Sequence, residues 1–157
     1  MGVILAGVLM GLGGTLAMDL WALLLKWLFG LPLANWARVG RWVLNLRERV
    51  FHDDFDRVAP AQGELAVGWV FHYVVGVVYG VVFAVLAGGD WIAEPSFGPV
   101  WVFGILTIAA GWFLLQPATG AGWAASRTPS PARTRVLGLL AHTVFALGMW
   151  VTALLFY

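Results

Sequence analysis

Long apolar runs separated by short polar links dominate the hydropathy pattern of this chain. Four such runs occupy residues 3–29, 65–87, 100–123 and 132–156, with few polar interruptions. About 20 apolar residues in a helix cross the hydrocarbon core of a bilayer. Backbone groups in lipid have to be bonded within their own segment, which favours helices. The pattern therefore predicts an all-α integral membrane protein with four transmembrane helices in a single domain over residues 1–157.

The link between the first two runs has an amphipathic pattern of its own. Apolar residues recur there at helical spacing: Trp36, Val39, Val43, Leu46 and Val50. Arginines lie on the opposite side, and Asn35 is suited to cap the first turn. This pattern predicts a helix over residues 36–50 on the cytoplasmic side. Two placements stay open, one in the membrane interface and one packed beneath the bundle.

Composition agrees with the membrane class, because 61% of the 157 residues are hydrophobic and only 11% are charged. The absence of cysteine excludes disulfides, thiolate metal sites and thiol catalysis. A net charge of +1 gives no support to nucleic-acid binding, which needs a concentrated basic face.

The distribution of arginine predicts the orientation. Residues 30–63 contain five arginines and residues 124–135 contain three, whereas residues 88–99 contain no basic residue. Positively charged links stay in the cytoplasm, so both termini are expected in the periplasm of a bacterial inner-membrane protein. Arg38, Arg41 and Arg47 are then expected to meet anionic lipid head groups.

Ionisable side chains inside the apolar runs are the main clue to function. Asp19, His72 and His142 each lie seven or eight residues from the charged residue at the cytoplasmic end of their run, which is roughly 10–12 Å along a helix. Gln116 stands beside Pro117, where the third helix is expected to break. Such residues usually face a bundle interior. We expect Asp19, His72, Gln116 and His142 to form one polar site.

Small residues recur at four-residue steps on the same faces as these polar residues. Glycines at this spacing let helix backbones approach closely, which is how membrane helices pack. The glycines expected at helix contacts are Gly7, Gly11, Gly68, Gly76, Gly80 and Gly138.

Several segments together resemble an uncharacterised family of small bacterial inner-membrane proteins with four predicted spans. The resemblance is carried by residues 11–19, 31–36, 52–54, 63–73 and 116–129, together with His142. It implies four spans and a bacterial membrane, and it implies no activity.

Three functions remain open. The polar residues can bond helices to one another in a structural or accessory bundle, as a homo-oligomer or a subunit of a larger membrane complex. They can also form a proton or small-solute pathway.

The third function is binding of a transition metal or haem b between the second and fourth spans. His72, His142 and Asp19 are its candidate ligands, and His52, Asp53 and Asp54 are weaker ones. No catalytic residue is predicted, because the spans contain neither a serine near a histidine nor a hydrolase motif; this favours a non-enzymatic role and leaves the question open.

Overall fold

The computed structural model describes residues 2–52 and 54–155, and Asp53 and Phe156 lie outside the described residues. Within these ranges the regular secondary structure is entirely helical. The α-helices are α1 (Val3–Phe29), α2 (Trp36–Leu44), α3 (Glu64–Ala93), α4 (Phe97–Ala110), α5 (Gln116–Ala118) and α6 (Pro131–Leu154). A π-helical turn, Gly111–Leu115, joins α4 to α5, and two 3-10 turns cover Phe55–Arg57 and Trp123–Ala125.

Four helical segments are long and apolar enough to cross a membrane. They are Val3–Phe29, Glu64–Ala93, Phe97–Ala118 and Pro131–Leu154. The predicted number of apolar helices is therefore confirmed.

Helix α2 is shorter than the amphipathic pattern predicts, because it ends at Leu44 instead of continuing to Val50. Asn45 ends the helix: its backbone N–H and its side-chain amide both donate to the Arg41 carbonyl. The chain then folds back, and the Trp42 indole N–H donates to the Val50 carbonyl at 2.8 Å. At the other end the predicted cap is confirmed, since the Asn35 side chain accepts a hydrogen bond from the Arg38 N–H.

Two of the long helices also end at places that differ from the predicted bounds. Helix α3 continues to Ala93 beyond a break at Gly88, whose φ of 78° and ψ of 176° lie outside the helical region. The third apolar helix ends at Ala118 rather than near residue 123, because Gly120 has a positive φ of 83° and turns the chain, with the Gly120 and Ala121 N–H groups donating back to the Pro117 and Gln116 carbonyls. Helix α6 begins at Pro131, as expected for a proline in the first helical position.

The described chain packs as two compact units. The first comprises residues 2–33, 73–107 and 139–155. In it, α1 and α3 meet backbone to backbone: a Cβ atom on Gly11 would overlap the Gly76 carbonyl oxygen and lie 2.7 Å from the Cα of Val77. One turn away, a Cβ on Gly7 would lie 2.6 Å from the Cα of Val81. Glycine is therefore required sterically along this contact.

Helix α6 packs on the other side of α1. A Cβ on Gly148 would lie 2.6 Å from the Ala17 Cβ, and a Cβ on Gly14 would lie 2.8 Å from both Met149 and Phe145. The core of this unit is apolar and includes Met10, Phe83, Val100, Phe145, Ala146, Met149 and Ala153.

The second unit comprises Ala34–His72 and Ile108–Gly138. Helix α2 crosses the first turns of α3 in it, and a Cβ on Gly68 would overlap the Trp36 carbonyl oxygen. Trp42, Phe55 and Ala118 form a small buried core. Contact at Gly138 is looser, since a Cβ there would first meet the end of the Ile108 side chain at 3.3 Å.

Gly11→Ala is expected to lower the free energy of unfolding by about 1–3 kcal/mol, because an added methyl group has to push two helix backbones apart. Gly89→Ala is the matched control, since nothing lies within 4 Å of a Cβ at that position. It should be neutral or raise the free energy of unfolding by up to about 1 kcal/mol. Denaturant unfolding in detergent measures both. Equal effects of the two substitutions would contradict the close α1–α3 contact.

Candidate functional site

Asp19 bonds across the contact between α1 and α3. Its Oδ2 accepts a hydrogen bond from the Tyr73 hydroxyl at 2.8 Å. Asp19 thus has a partner on a neighbouring helix within the first unit, and Tyr73 is a site residue that the hydropathy pattern alone does not reveal.

His142 bonds from α6 to α4 in the same unit. Its Nδ1 lies 3.0 Å from the Gly104 carbonyl oxygen and 3.0 Å from the Thr107 hydroxyl. The single proton of that hydroxyl is directed to the Gly104 carbonyl at 2.6 Å. Both neighbours therefore act as acceptors, and Nδ1 carries the proton in the neutral imidazole. The lone pair of His142 is then on Nε2.

His72 belongs to the second unit and is covered by aromatic rings. Its imidazole stacks on the Trp36 indole, with ring centroids 4.0 Å apart and an interplanar angle of 25°. Trp69 meets the same imidazole edge-on at 6.0 Å. The first residue of α2 therefore lies over His72, and sequence spacing alone does not bring these two residues together.

Gln116 lies where the third apolar helix is interrupted. The π-helical turn directs its backbone N–H to the Gly111 carbonyl. Its side-chain Oε1 is buried and has no hydrogen-bond partner among the described residues. Among residues 2–52 and 54–155, two further buried side-chain atoms lack a hydrogen-bond partner, Trp21 Nε1 and Trp91 Nε1, and both are donors, whereas Oε1 is an acceptor.

Two arginines of α2 bind groups of the second unit. The Arg41 guanidinium makes two parallel bonds to the Glu64 carboxylate, of 2.8 and 2.9 Å, and a third to the Val58 carbonyl. Arg38 donates to the Thr119 carbonyl at 2.7 Å and to the Asp56 carboxylate. Both side chains thus have partners inside the protein.

The segment that follows Thr119 has an unusual backbone. Ala124 and Ala125 have positive φ angles of 45° and 61°, in a region that L residues rarely adopt. Two hydrogen bonds support this conformation. The Arg135 Nε–H donates to the Ala124 carbonyl at 2.7 Å, and the Arg127 N–H donates to the Ala121 carbonyl at 2.9 Å. Conformations of this kind persist where the surroundings impose them.

One of the weaker metal candidates, His52, lines a surface pocket of about 450 Å³, and Asp53 lies outside the described residues. Its lining residues are Asn45, Glu48, Arg49, His52, Val58 and Ala59. His52 Nε2 lies 3.1 Å from the Arg49 carbonyl, and Asp54 pairs with Arg57 at 2.8 Å. Across residues 2–52 and 54–155, no group of three His, Cys, Asp or Glu side chains is arranged to hold a metal ion.

The polar residues predicted to form one site are thus distributed over two units. Asp19 and His142 lie in the first, whereas His72 and Gln116 lie in the second. Within the first unit, Asp19 bonds to α3 and His142 bonds to α4. Their convergence on one site stays a prediction.

Comparison with known protein families finds one family model that covers most of the chain. The model of a family described as a protein of unknown function (DUF2938) matches residues 8–156. The chain belongs to the DUF2938 family. The resemblance to an uncharacterised family is thereby confirmed, and membership of DUF2938 assigns no activity. No curated protein and no solved structure matches the chain.

The contact between Arg38 and Asp56 predicts a pH dependence. The hydrogen bond from Arg38 lowers the pKa of the Asp56 carboxyl below its ordinary value near 4. A carboxylate with a lowered pKa stabilises the fold above the unfolded-state pKa, and this contribution is lost as the pH falls through the lowered value. Asp56→Asn should therefore melt below wild type at pH 7, by a margin that shrinks as the pH falls below the ordinary carboxyl pKa near 4.

Thermal melts between pH 3 and pH 7 measure that margin, with Asp90→Asn as the control for general loss of charge. Because the Asp56 side chain is 80% exposed, the margin is expected to be small and to shrink in high salt. A margin that stays constant over the whole pH range would contradict the role of this ion pair.

Proposed function

We propose that this DUF2938 protein is a small multi-pass protein of the bacterial inner membrane that acts as a structural or accessory helix bundle, either as a homo-oligomer or within a larger membrane assembly. The observation that carries the proposal is the use made of polar side chains in the first unit. Asp19 and His142 each bond a neighbouring helix, as does Trp101, which donates to Thr143 at 3.2 Å. Polar side chains used in this way hold apolar helices in register.

The proposed orientation places both termini in the periplasm and both arginine-rich links in the cytoplasm. Its support is the arginine distribution, with five arginines before α3 and none between α3 and α4. Contact with anionic lipid head groups is also proposed. Because Arg38 and Arg41 bind protein groups, this contact falls to Arg47 and the exposed apolar residues beside it, Leu46 and Val50.

Cysteine labelling tests the orientation, since the native chain has no thiol. In intact cells, a membrane-impermeant maleimide should label a cysteine in place of Asp90 and should leave a cysteine in place of Asp54 unlabelled until the cells are lysed. The reverse pattern would refute the orientation. If neither cysteine is labelled even after lysis, the assignment of residues 54 and 90 to the aqueous phases would be refuted.

Substitutions at Asp19 test the structural role. Asp19→Asn keeps an acceptor for the Tyr73 hydroxyl and should leave stability nearly unchanged. Asp19→Leu and Tyr73→Phe each remove the bond, and each should cost about 0.6–2 kcal/mol. A double-mutant cycle measured by denaturant unfolding isolates the coupling between the two side chains. Full folding of Asp19→Asn together with loss of proton movement across reconstituted vesicles would instead favour a proton or small-solute pathway.

That pathway is the second candidate function, and the interrupted third helix favours it. Irregular backbone at membrane depth occurs where it lines a cavity or is buried in protein. The third candidate, a transition metal or haem, is supported by the fixed tautomer of His142, because histidine ligands usually donate their other ring N–H to a carbonyl or carboxylate. An absorbance spectrum and metal analysis of purified protein distinguish this candidate from the other two.

A further inference from the structure

The third apolar helix contains carbonyl groups that have lost their usual hydrogen-bond donors. In a regular α-helix each carbonyl accepts from the N–H four residues later. The fourth residue after Phe113 is Pro117, which has no N–H. The fourth residue after Trp112 is Gln116, whose N–H is directed to Gly111 by the π-helical turn. One turn of helix thus presents two carbonyl oxygens without their regular donors.

The Gln116 side chain adds a third oxygen to the same turn. Helical side chains lean back over the preceding turn, a tendency that directs the Gln116 side chain toward the turn that contains Trp112 and Phe113. Its Oε1 is buried and unpartnered within the described chain. Such an atom in a native structure calls for an explanation such as a bound water or ion. At the start of the same turn, no atom lies within 4 Å of a Cβ built on Gly111, so the turn is not closely packed at that residue.

The electrostatics of this turn favour a cation. It lies at the C-terminal end of the helical segment Phe97–Ala118, where the aligned peptide dipoles give a partial negative charge. The three oxygens are all acceptors, so a ligand that they share has to be a donor or a metal ion.

We propose that the turn from Gly111 to Pro117 binds a small monovalent cation through Gln116 Oε1 and the carbonyl oxygens of Trp112 and Phe113. The cation is an alkali metal ion or an ammonium group, which share a single positive charge and an affinity for neutral oxygens. Carbonyl oxygens of interrupted membrane helices coordinate monovalent cations in this manner. Divalent ions prefer carboxylate ligands, which this turn does not contain. The proposal goes beyond the structural role given above and does not depend on it.

Thermal unfolding of the purified protein in detergent tests the site. Melts are recorded in chloride salts of Na⁺, K⁺, NH₄⁺ and choline at one fixed ionic strength. A ligand that binds the folded state raises the melting temperature in a saturable manner. At least one of the three small cations should do so, and choline, which is too large and has no N–H donor, should not. A response to Na⁺ or K⁺ alone identifies a metal ion, and a response to NH₄⁺ alone identifies an ammonium group.

Substitutions in the turn test whether these three oxygens are responsible for the rise in melting temperature with cations. Gln116→Leu removes Oε1 at nearly constant volume and should weaken the apparent cation affinity at least tenfold. Pro117→Ala restores a donor to the Phe113 carbonyl and should weaken it as well. Gln116→Glu keeps an oxygen and adds negative charge, so it should strengthen binding. The control Gly89→Ala should respond as wild type does.

Two results would overturn the proposal. One is an identical melting temperature for wild type in all four salts, which would leave water as the partner of Oε1. The other is an unchanged cation response in Gln116→Leu. If that variant does not fold, isothermal titration of wild type and Gln116→Glu with the responding salt decides the matter, and equal affinities would exclude the site.

Discussion

The direct approach of α1 and α3 at Gly11 and Gly76 is the constraint on which the first unit depends. Gly11 faces the backbone of α3 directly and Gly76 faces the Thr15 hydroxyl, so a single methyl group added to either glycine would overlap the facing helix. Such a contact tolerates little sliding or rotation, so it determines which side chains meet further along. Thr15, one turn after Gly11, is buried and donates back to the Gly11 carbonyl at 2.8 Å. Asp19, one turn further, then reaches Tyr73.

A close contact between helix backbones also organises the second unit, where an ion pair reinforces it. Helix α2 crosses α3 at Gly40 and Gly68, and the bidentate pair of Arg41 and Glu64 holds the crossing at its edge. From the same helix, the Arg38 side chain donates a hydrogen bond to the Thr119 carbonyl. The short α2 is therefore held by packing on one side and by directional bonds on the other, which explains how nine residues form a stable helix that would be marginal alone.

The sequence predicted what depends on local chemistry. Apolar length predicted the four long helices, Asn35 predicted the start of α2, and Pro117 predicted the break in the third helix. The end of α2 could not be predicted, because apolar spacing continues to Val50 whereas the Trp42–Val50 bond turns the chain back. The Tyr73 and Trp36 contacts were also missed. They depend on which helices become neighbours, and a single sequence does not contain that information.

The internal pairing of the α2 arginines has an electrical consequence. The segment from Ala34 to His72 has five arginines and five acidic residues, so its formal charge sums to zero. A set of charges that sums to zero produces a field that falls off more steeply with distance than that of a net charge, and salt shortens its range further. The segment therefore exerts little attraction on an anionic surface at long range. Any affinity for such a surface has to arise after contact, from the geometry of individual side chains.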